Sequence, residues 1–185
     1  MVDSTRPFNI ANPPLPASPA DGLYAKVNLF IQNCIDGNLK EVQRWLKEGF
    51  NPNRGDDRIY TALHCLCEHE WNDSSFLIAT HLCVYGANVN ADSPSHDGWT
   101  PLHLAAWTGN HQACQFLLNN GGNPTLTDWF GASPLQVAEY SEHSALATVK
   151  LLQEATMQWT QRQKSSSSNN SSNNSSNTEH SNSKL

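Results

Sequence analysis

The feature that most constrains this chain is an internal repeat with a period of about 33 residues. Its clearest copy contains Asp97-Gly98-Trp99-Thr100-Pro101-Leu102-His103-Leu104-Ala105-Ala106, and in the next copy Gly131 takes the place of Gly98. In both copies Thr or Ser precedes Pro, an order that caps a helix and then fills its first position. Gly121 supplies the left-handed residue that ends a second helix. The pattern predicts pairs of short helices that are stable only when neighbouring pairs stack.

Two earlier copies are less regular. Thr61-Ala62-Leu63-His64 repeats the helix start, but the interval from Thr61 to Gly86 is longer than the one from Thr100 to Gly121. The difference is four extra residues between the helices of the second unit, near Asn72. An earlier unit around Gly37-Asn38-Leu39 lacks the Thr-Pro-Leu-His start. The expected folded part is 23–160, in units of about 24–56, 57–95, 96–128 and 129–160.

These residues resemble the ankyrin repeat, and the third unit is the closest to that family's consensus. The resemblance covers roughly 23–157 and implies an all-α ankyrin-repeat solenoid of stacked helix-turn-helix units with hairpin loops. The fourth unit departs from the family pattern, since it has Gln136 where a His is usual. In the other units, the resemblance implies that His64 and His103 bond backbone groups between adjacent units.

Both ends of the chain differ from the repeats in composition. Residues 1–22 include five of the ten prolines, which remove backbone donors and offer no apolar face to bury, so this segment is expected to be a flexible arm. Residues 161–185 are rich in Ser and Asn and are expected to form a disordered tail.

Composition excludes several classes of partner. Eleven basic against 17 acidic side chains give a net charge of −6 with no Lys/Arg run, which argues against nucleic acid. No apolar stretch reaches the roughly 18 to 20 residues of a spanning helix, and the start does not resemble a signal peptide. We expect a cytoplasmic monomer without a membrane partner. The five cysteines lack a disulfide framework and are expected to be reduced thiols.

Titratable residues raise one alternative to a purely structural role. Helical spacing would bring Cys65 near His69, so Cys65, Cys67 and His69 make a metal- or redox-responsive switch a competing hypothesis. The repeat offers a simpler explanation, because Cys67 occupies the place of Ala106, where a small packed side chain is needed. No nucleophile with a base and an orienting acid is recognisable, and no phosphate-binding loop either. We therefore expect neither catalysis nor a cofactor.

The ankyrin resemblance also implies which side chains face a concave groove. Those expected to bind a partner are Tyr60, Glu68, His69, Trp99, Trp107, Thr108, Trp129, Phe130 and Tyr140. The same register adds Asp57, Arg58, His96, Asp97, Ala132 and Ser141. Six of the fifteen are aromatic, and aromatic side chains are favoured binding anchors. The alternative is that Trp129 and Phe130 fold inward against the last unit.

The function predicted from these patterns is protein–protein interaction, in a regulator, adaptor or scaffold of unknown partner. A secreted bacterial effector that acts on a host protein is a further alternative. The chain ends in Ser183-Lys184-Leu185, which matches the peroxisomal targeting tripeptide, so import into peroxisomes through the import receptor is an alternative to a purely cytoplasmic location. In a bacterium the same tail would be only a solvated end.

Overall fold

A computed structural model describes residues 22–56 and 60–171, and within these ranges the chain is helical and contains no extended strand. The first 21 residues, Asp57, Arg58 and the Ser183-Lys184-Leu185 tripeptide lie outside the described residues, so the predictions made for them remain predictions. The α-helices are α1 Leu23–Ile35, α2 Leu39–Lys47, α3 Ala62–Glu68, α4 Asp73–Val84, α5 Pro101–Trp107, α6 His111–Asn119, α7 Pro134–Tyr140 and α8 Leu146–Ser171.

The helices form two layers, one from the first and one from the second helix of each unit. In the inner layer α1, α3, α5 and α7 pack side by side, while in the outer layer α2 packs on α4 and α6 on α8. Outer helices α4 and α6 meet through aromatic rings, with Phe76 and Phe116 centred 5.5 Å apart. The predicted all-α solenoid of paired helices is confirmed.

Local sequence explains where the inner helices begin. A Thr or Ser immediately precedes each of α3, α5 and α7. Its backbone N–H, which has no partner within the helix, donates a hydrogen bond to the side chain three residues later in the sequence. His103 Nδ1 accepts from the Thr100 N–H at 3.1 Å, and Gln136 Oε1 accepts from the Ser133 N–H at 2.9 Å. Gln136 therefore replaces the usual His at the start of α7 with another acceptor.

The two buried histidines also join neighbouring units. Nε2 of His64 donates to the carbonyl of Trp99 at 3.2 Å, and Nε2 of His103 donates to the carbonyl of Ala132 at 3.1 Å. Because Nδ1 accepts from the backbone, each ring is the neutral tautomer with its proton on Nε2. The predicted backbone bonding between units is confirmed for both.

The four-residue insertion of the second unit forms the loop between α3 and α4. Asn72 caps α4 through its side-chain oxygen, which accepts from the Ser75 N–H at 3.1 Å. Trp71 turns toward the third unit, where its ring lies 5.4 Å from that of Phe116. The insertion thus adds an aromatic contact to the outer layer.

The last helix is longer than the sequence indicates. It extends to Ser171, whereas the ordered domain is predicted to end at 160. Its hydroxyl-bearing residues bond within the helix, as in the Thr156 bond to the Leu152 carbonyl at 2.7 Å and the Thr160 bond to the Thr156 carbonyl at 3.0 Å. None of the helices in the described ranges is both long enough and apolar enough to cross a membrane.

Candidate binding groove

The carboxyl ends of α3, α5 and α7 lie next to one another. The Thr108 hydroxyl donates to the carbonyl of Cys67 at 3.1 Å, and the Ser141 hydroxyl donates to the carbonyl of Trp107. The two donors occupy the same place in successive units, and each bonds a carbonyl near the end of the preceding inner helix, so the residues just before the donors also form a line. We call this line, Glu68, Trp107 and Tyr140, the helix-end row. Glu68 is exposed, Trp107 is half-buried and Tyr140 is 77% exposed.

A second line of side chains follows the hairpin tips. Asp97 is exposed at the tip before α5, while Trp129 and Phe130, at the tip before α7, are 63% and 66% exposed. The two tips are in contact, since the Trp129 N–H donates to the Asp97 carbonyl at 2.7 Å. The Trp129 ring also lies against Gly98, where a Cβ would come within 2.6 Å of its Cδ1 and Nε1. We call Asp97, Trp129 and Phe130 the hairpin-tip row.

Asp128 organises the tip that presents these aromatic rings. One carboxylate oxygen accepts from the backbone N–H groups of Phe130 and Ala132 at 2.9 and 2.8 Å, and the other from the Trp99 indole N–H at 3.2 Å. Asp56 makes the corresponding bond to the Tyr60 N–H at 2.9 Å. This role was not predicted from the sequence, although the same spacing of four residues recurs in two units, from Asp56 to Tyr60 and from Asp128 to Ala132.

Trp99 connects the two rows. Its ring centre lies 5.9 Å from that of Trp107, and it stacks on His103 with an interplanar angle of 23°. Both tryptophans are half-buried. Together with Trp99, the helix-end row and the hairpin-tip row make up what we call the groove.

Tyr60 was predicted to face the groove, and this prediction is wrong. Its side chain is fully buried, with its ring stacked on His64 at 5.3 Å and 8°. The following hairpin is two residues longer than its counterpart in the fourth unit, as the intervals Gly86 to Thr100 and Gly121 to Ser133 show. It contains a short 3₁₀ turn, Pro94–His96, and the His96 ring lies 4.8 Å from the Tyr60 ring. Tyr60 therefore contributes to the core and not to a binding surface.

The remaining predicted groove residues differ in what their side chains do. Thr108 uses its hydroxyl between units, and Ser141 is buried with its hydroxyl on Trp107. His69 is exposed, with its ring bonded to the Cys65 carbonyl at 2.8 Å. Trp129 and Phe130 do not fold inward, which answers the alternative raised for them.

The cysteines give the metal- or redox-switch hypothesis no support. Cys65 and Cys67 are fully buried. Burial raises the pKa of Cys67 well above its ordinary value and that of Cys114 to about 12, so the reactive thiolate is disfavoured. In the described part of the chain, no three His, Cys, Asp or Glu side chains are grouped so that they could hold a metal ion.

Comparison with known proteins agrees with this architecture. A family model described as ankyrin repeats (3 copies) matches residues 30–128 and 77–163. The chain is 36% identical over 126 residues to the RelA-associated inhibitor of Mus musculus, a match that covers 64% of this chain and 14% of that protein.

Other relatives differ in their overall roles. BCL-6 corepressor-like protein 1 of Homo sapiens is 35% identical over 92 residues, which is 50% of this chain and 5% of the relative. Putative E3 ubiquitin-protein ligase XBAT35 of Arabidopsis thaliana is 32% identical over 114 residues, which is 62% of this chain and 24% of the relative. This chain therefore matches only a small part of each of these three relatives.

Proposed function

The chain belongs to the ankyrin-repeat family and is a protein-interaction module, and we propose from that premise that its concave groove binds the partner protein. The supporting observation is the exposure of three large aromatic side chains, Trp129, Phe130 and Tyr140, in the helix-end and hairpin-tip rows. Aromatic anchors of this kind supply much of the binding energy in protein interfaces. Recognition, and not catalysis, is the proposed activity.

The names of the relatives support a regulatory setting. One is called an inhibitor associated with RelA, one a corepressor-like protein, and another, protein phosphatase 1 regulatory subunit 12A of Mus musculus, is 32% identical over 102 residues. We therefore propose that this chain acts as a regulator, adaptor or scaffold. Its partner is set by the groove side chains and not by the fold, which hosts many unrelated partners.

Phe130 and Tyr140 are the best residues for a test. Both are at least 66% exposed, so their truncation removes contact area without opening a cavity in the core. The variant Phe130→Ala/Tyr140→Ala should lose partner capture and keep the unfolding free energy of the wild type within about 0.5 kcal/mol. Trp99 is less suitable, because its indole N–H is bonded to Asp128.

The control is Met157→Ala, which truncates an apolar side chain that is 57% exposed on outer helix α8. Proteins captured by the immobilised wild-type chain from cell extract would be identified by mass spectrometry and compared across the variants. The proposal requires that one set of proteins is kept by Met157→Ala and lost by the groove variant. Equal capture by the groove variant, with its fold intact by circular dichroism, would show that the groove is not the binding surface.

A further inference from the structure

We propose that the groove binds a cationic segment of its partner, with Lys or Arg side chains seated against the aromatic rings and beside acidic groups. This inference rests on the proposed function and specifies the chemistry of the ligand. It follows from the distribution of charge along the chain and from the positions of acidic residues in both rows.

Between Arg58 and Lys150, the stretch that supplies the groove residues, formal charge is of one sign only. The sequence contains no Lys or Arg between Arg58 and Lys150. The same stretch contains eight acidic residues: Glu68, Glu70, Asp73, Asp92, Asp97, Asp128, Glu139 and Glu142. The first unit differs, because Lys40, Arg44 and Lys47 accompany its acids and Arg44 forms an ion pair with Glu41 at 2.6 Å. A negative potential therefore extends over the units that form the groove, and a cleft concentrates such a field.

The two rows place acids next to aromatic rings. Glu68 precedes Trp107 in the helix-end row, and we add to that row the exposed Glu139, which immediately precedes Tyr140 on α7. Asp97 meets Trp129 in the hairpin-tip row, where their backbones are bonded. A Lys or Arg head group is attracted both by the face of an aromatic ring and by a carboxylate, so this combination favours a cation.

Other occupants fit the groove less well. An acidic segment would be repelled by the groove carboxylates. A purely apolar segment would cover the aromatic rings but would also remove water from Glu68, Asp97 and Glu139 without replacing their hydrogen bonds, which is costly. A segment with basic residues among apolar ones satisfies both the rings and the carboxylates.

Selection from a library tests the proposal and does not require the partner to be identified. Random short peptides displayed on phage would be selected on the immobilised full-length chain at physiological salt. We expect the recovered peptides to contain more Lys and Arg than the starting library. A recovered pool without that excess, including one that never rises above background, would overturn the proposal.

Synthetic copies of the most frequent recovered peptide then measure the contribution of each cation. Replacing Arg by citrulline or Lys by glutamine should weaken binding by about threefold to thirtyfold per position, as measured by fluorescence anisotropy. Glu68→Gln and Glu139→Gln should weaken it in the same direction, and Tyr140→Phe, which keeps the ring, should bind far better than Tyr140→Ala. Glu154→Gln on α8 makes the same change in charge on the outer layer and should have no effect.

The outcomes separate the two proposals. If the variant Phe130→Ala/Tyr140→Ala no longer binds the peptide, but the peptide binds the wild type equally well without its positive charges, the proposal of a cationic ligand is wrong and the groove remains the binding surface. If binding survives Phe130→Ala/Tyr140→Ala, the groove itself is wrong. If Glu154→Gln weakens binding as much as Glu68→Gln, the attraction comes from net charge alone, and the proposed placement of Lys or Arg against the groove rings is wrong.

Discussion

Mild acid should destabilise this solenoid through a buried histidine. His64 is fully buried, its Nδ1 accepts from the Thr61 N–H at 3.3 Å, and its Nε2 donates to the Trp99 carbonyl at 3.2 Å. A second proton would have to be placed on Nδ1, facing a backbone donor. Burial lowers the pKa of His64 from 6.5 to about 4, although the bond to the Trp99 carbonyl opposes the shift.

The magnitude follows from the difference between the folded and unfolded pKa values. Between 6.5 and about 4 the unfolded chain binds a proton that the folded chain does not, so the free energy of unfolding falls as pH falls through this window. At about 1.36 kcal/mol for each unit, lowering the pH from about 7.5 to about 5 should cost about 2 kcal/mol at His64 alone. Burial also lowers the pKa of His103, which adds a loss in the same direction.

The substitution His64→Gln isolates this effect, because the chain already uses a glutamine for the same task. Gln136 accepts from the Ser133 N–H at 2.9 Å at the equivalent place in the fourth unit. Urea unfolding of the wild type and of His64→Gln would be measured at both pH values, and the two pH-dependent losses compared. We expect the loss in the wild type to exceed that in the variant by about 2 kcal/mol. Equal losses would refute the argument that His64 is held neutral by burial.

Three further predictions concern stability and thiol chemistry. Gly109→Ala should lower the free energy of unfolding by more than about 2 kcal/mol, because the added Cβ would collide with the backbone oxygen of His143. At Gly121 no atom lies within 4 Å of an added Cβ, so Gly121→Ala should cost about 1 kcal/mol. Urea unfolding would measure both, and equal losses would contradict this prediction. Asn90→Ala should lower the free energy of unfolding by about 1 to 3 kcal/mol in the same assay, because the Asn90 side chain bonds the Gly121 carbonyl at 3.0 Å and the Asn123 N–H at 2.8 Å. An unchanged urea midpoint would show that these two bonds do not contribute to stability. Cys83 is partly exposed and the other four thiols are buried, so Cys83 should react first with a chromogenic disulfide reagent and the other four only on unfolding. Fast reaction of several thiols in the folded protein would support a redox role.

The fold could be predicted because its rules are local. Thr100 and Pro101 start a helix by their own chemistry, and Gly121, at φ 88°, takes the left-handed conformation expected of it. Such features recur at the same place in successive units, so one well-matched unit identifies the others. The bonds made by His64 and His103 were predicted from the ankyrin resemblance, because both residues occupy the place of that family's Thr-Pro-Leu-His histidine.

The groove was only partly predictable, because exposure depends on how loops pass over their neighbours. Tyr60 has the register of a groove residue, yet two extra residues in the next hairpin place His96 on its ring. Trp71 belongs to an insertion for which the repeat offers no template. The end of α8 at Ser171 was missed for a different reason, since composition alone does not predict how far a helix continues.

The burial of the inner helices explains why so few side chains are available to the proposed binding surface. In α3 and α5 the first six residues are buried, which leaves only Glu68 and Trp107 at their ends with access to solvent. The corresponding end of α7 exposes Glu139 and Tyr140. Stacking buries the rest of each helix, so a change at the exposed ends, Glu68 and Tyr140, should cost little stability. Under the proposed function, a small set of helix-end and hairpin-tip residues selects the partner, and in this chain those residues are mostly aromatic and acidic.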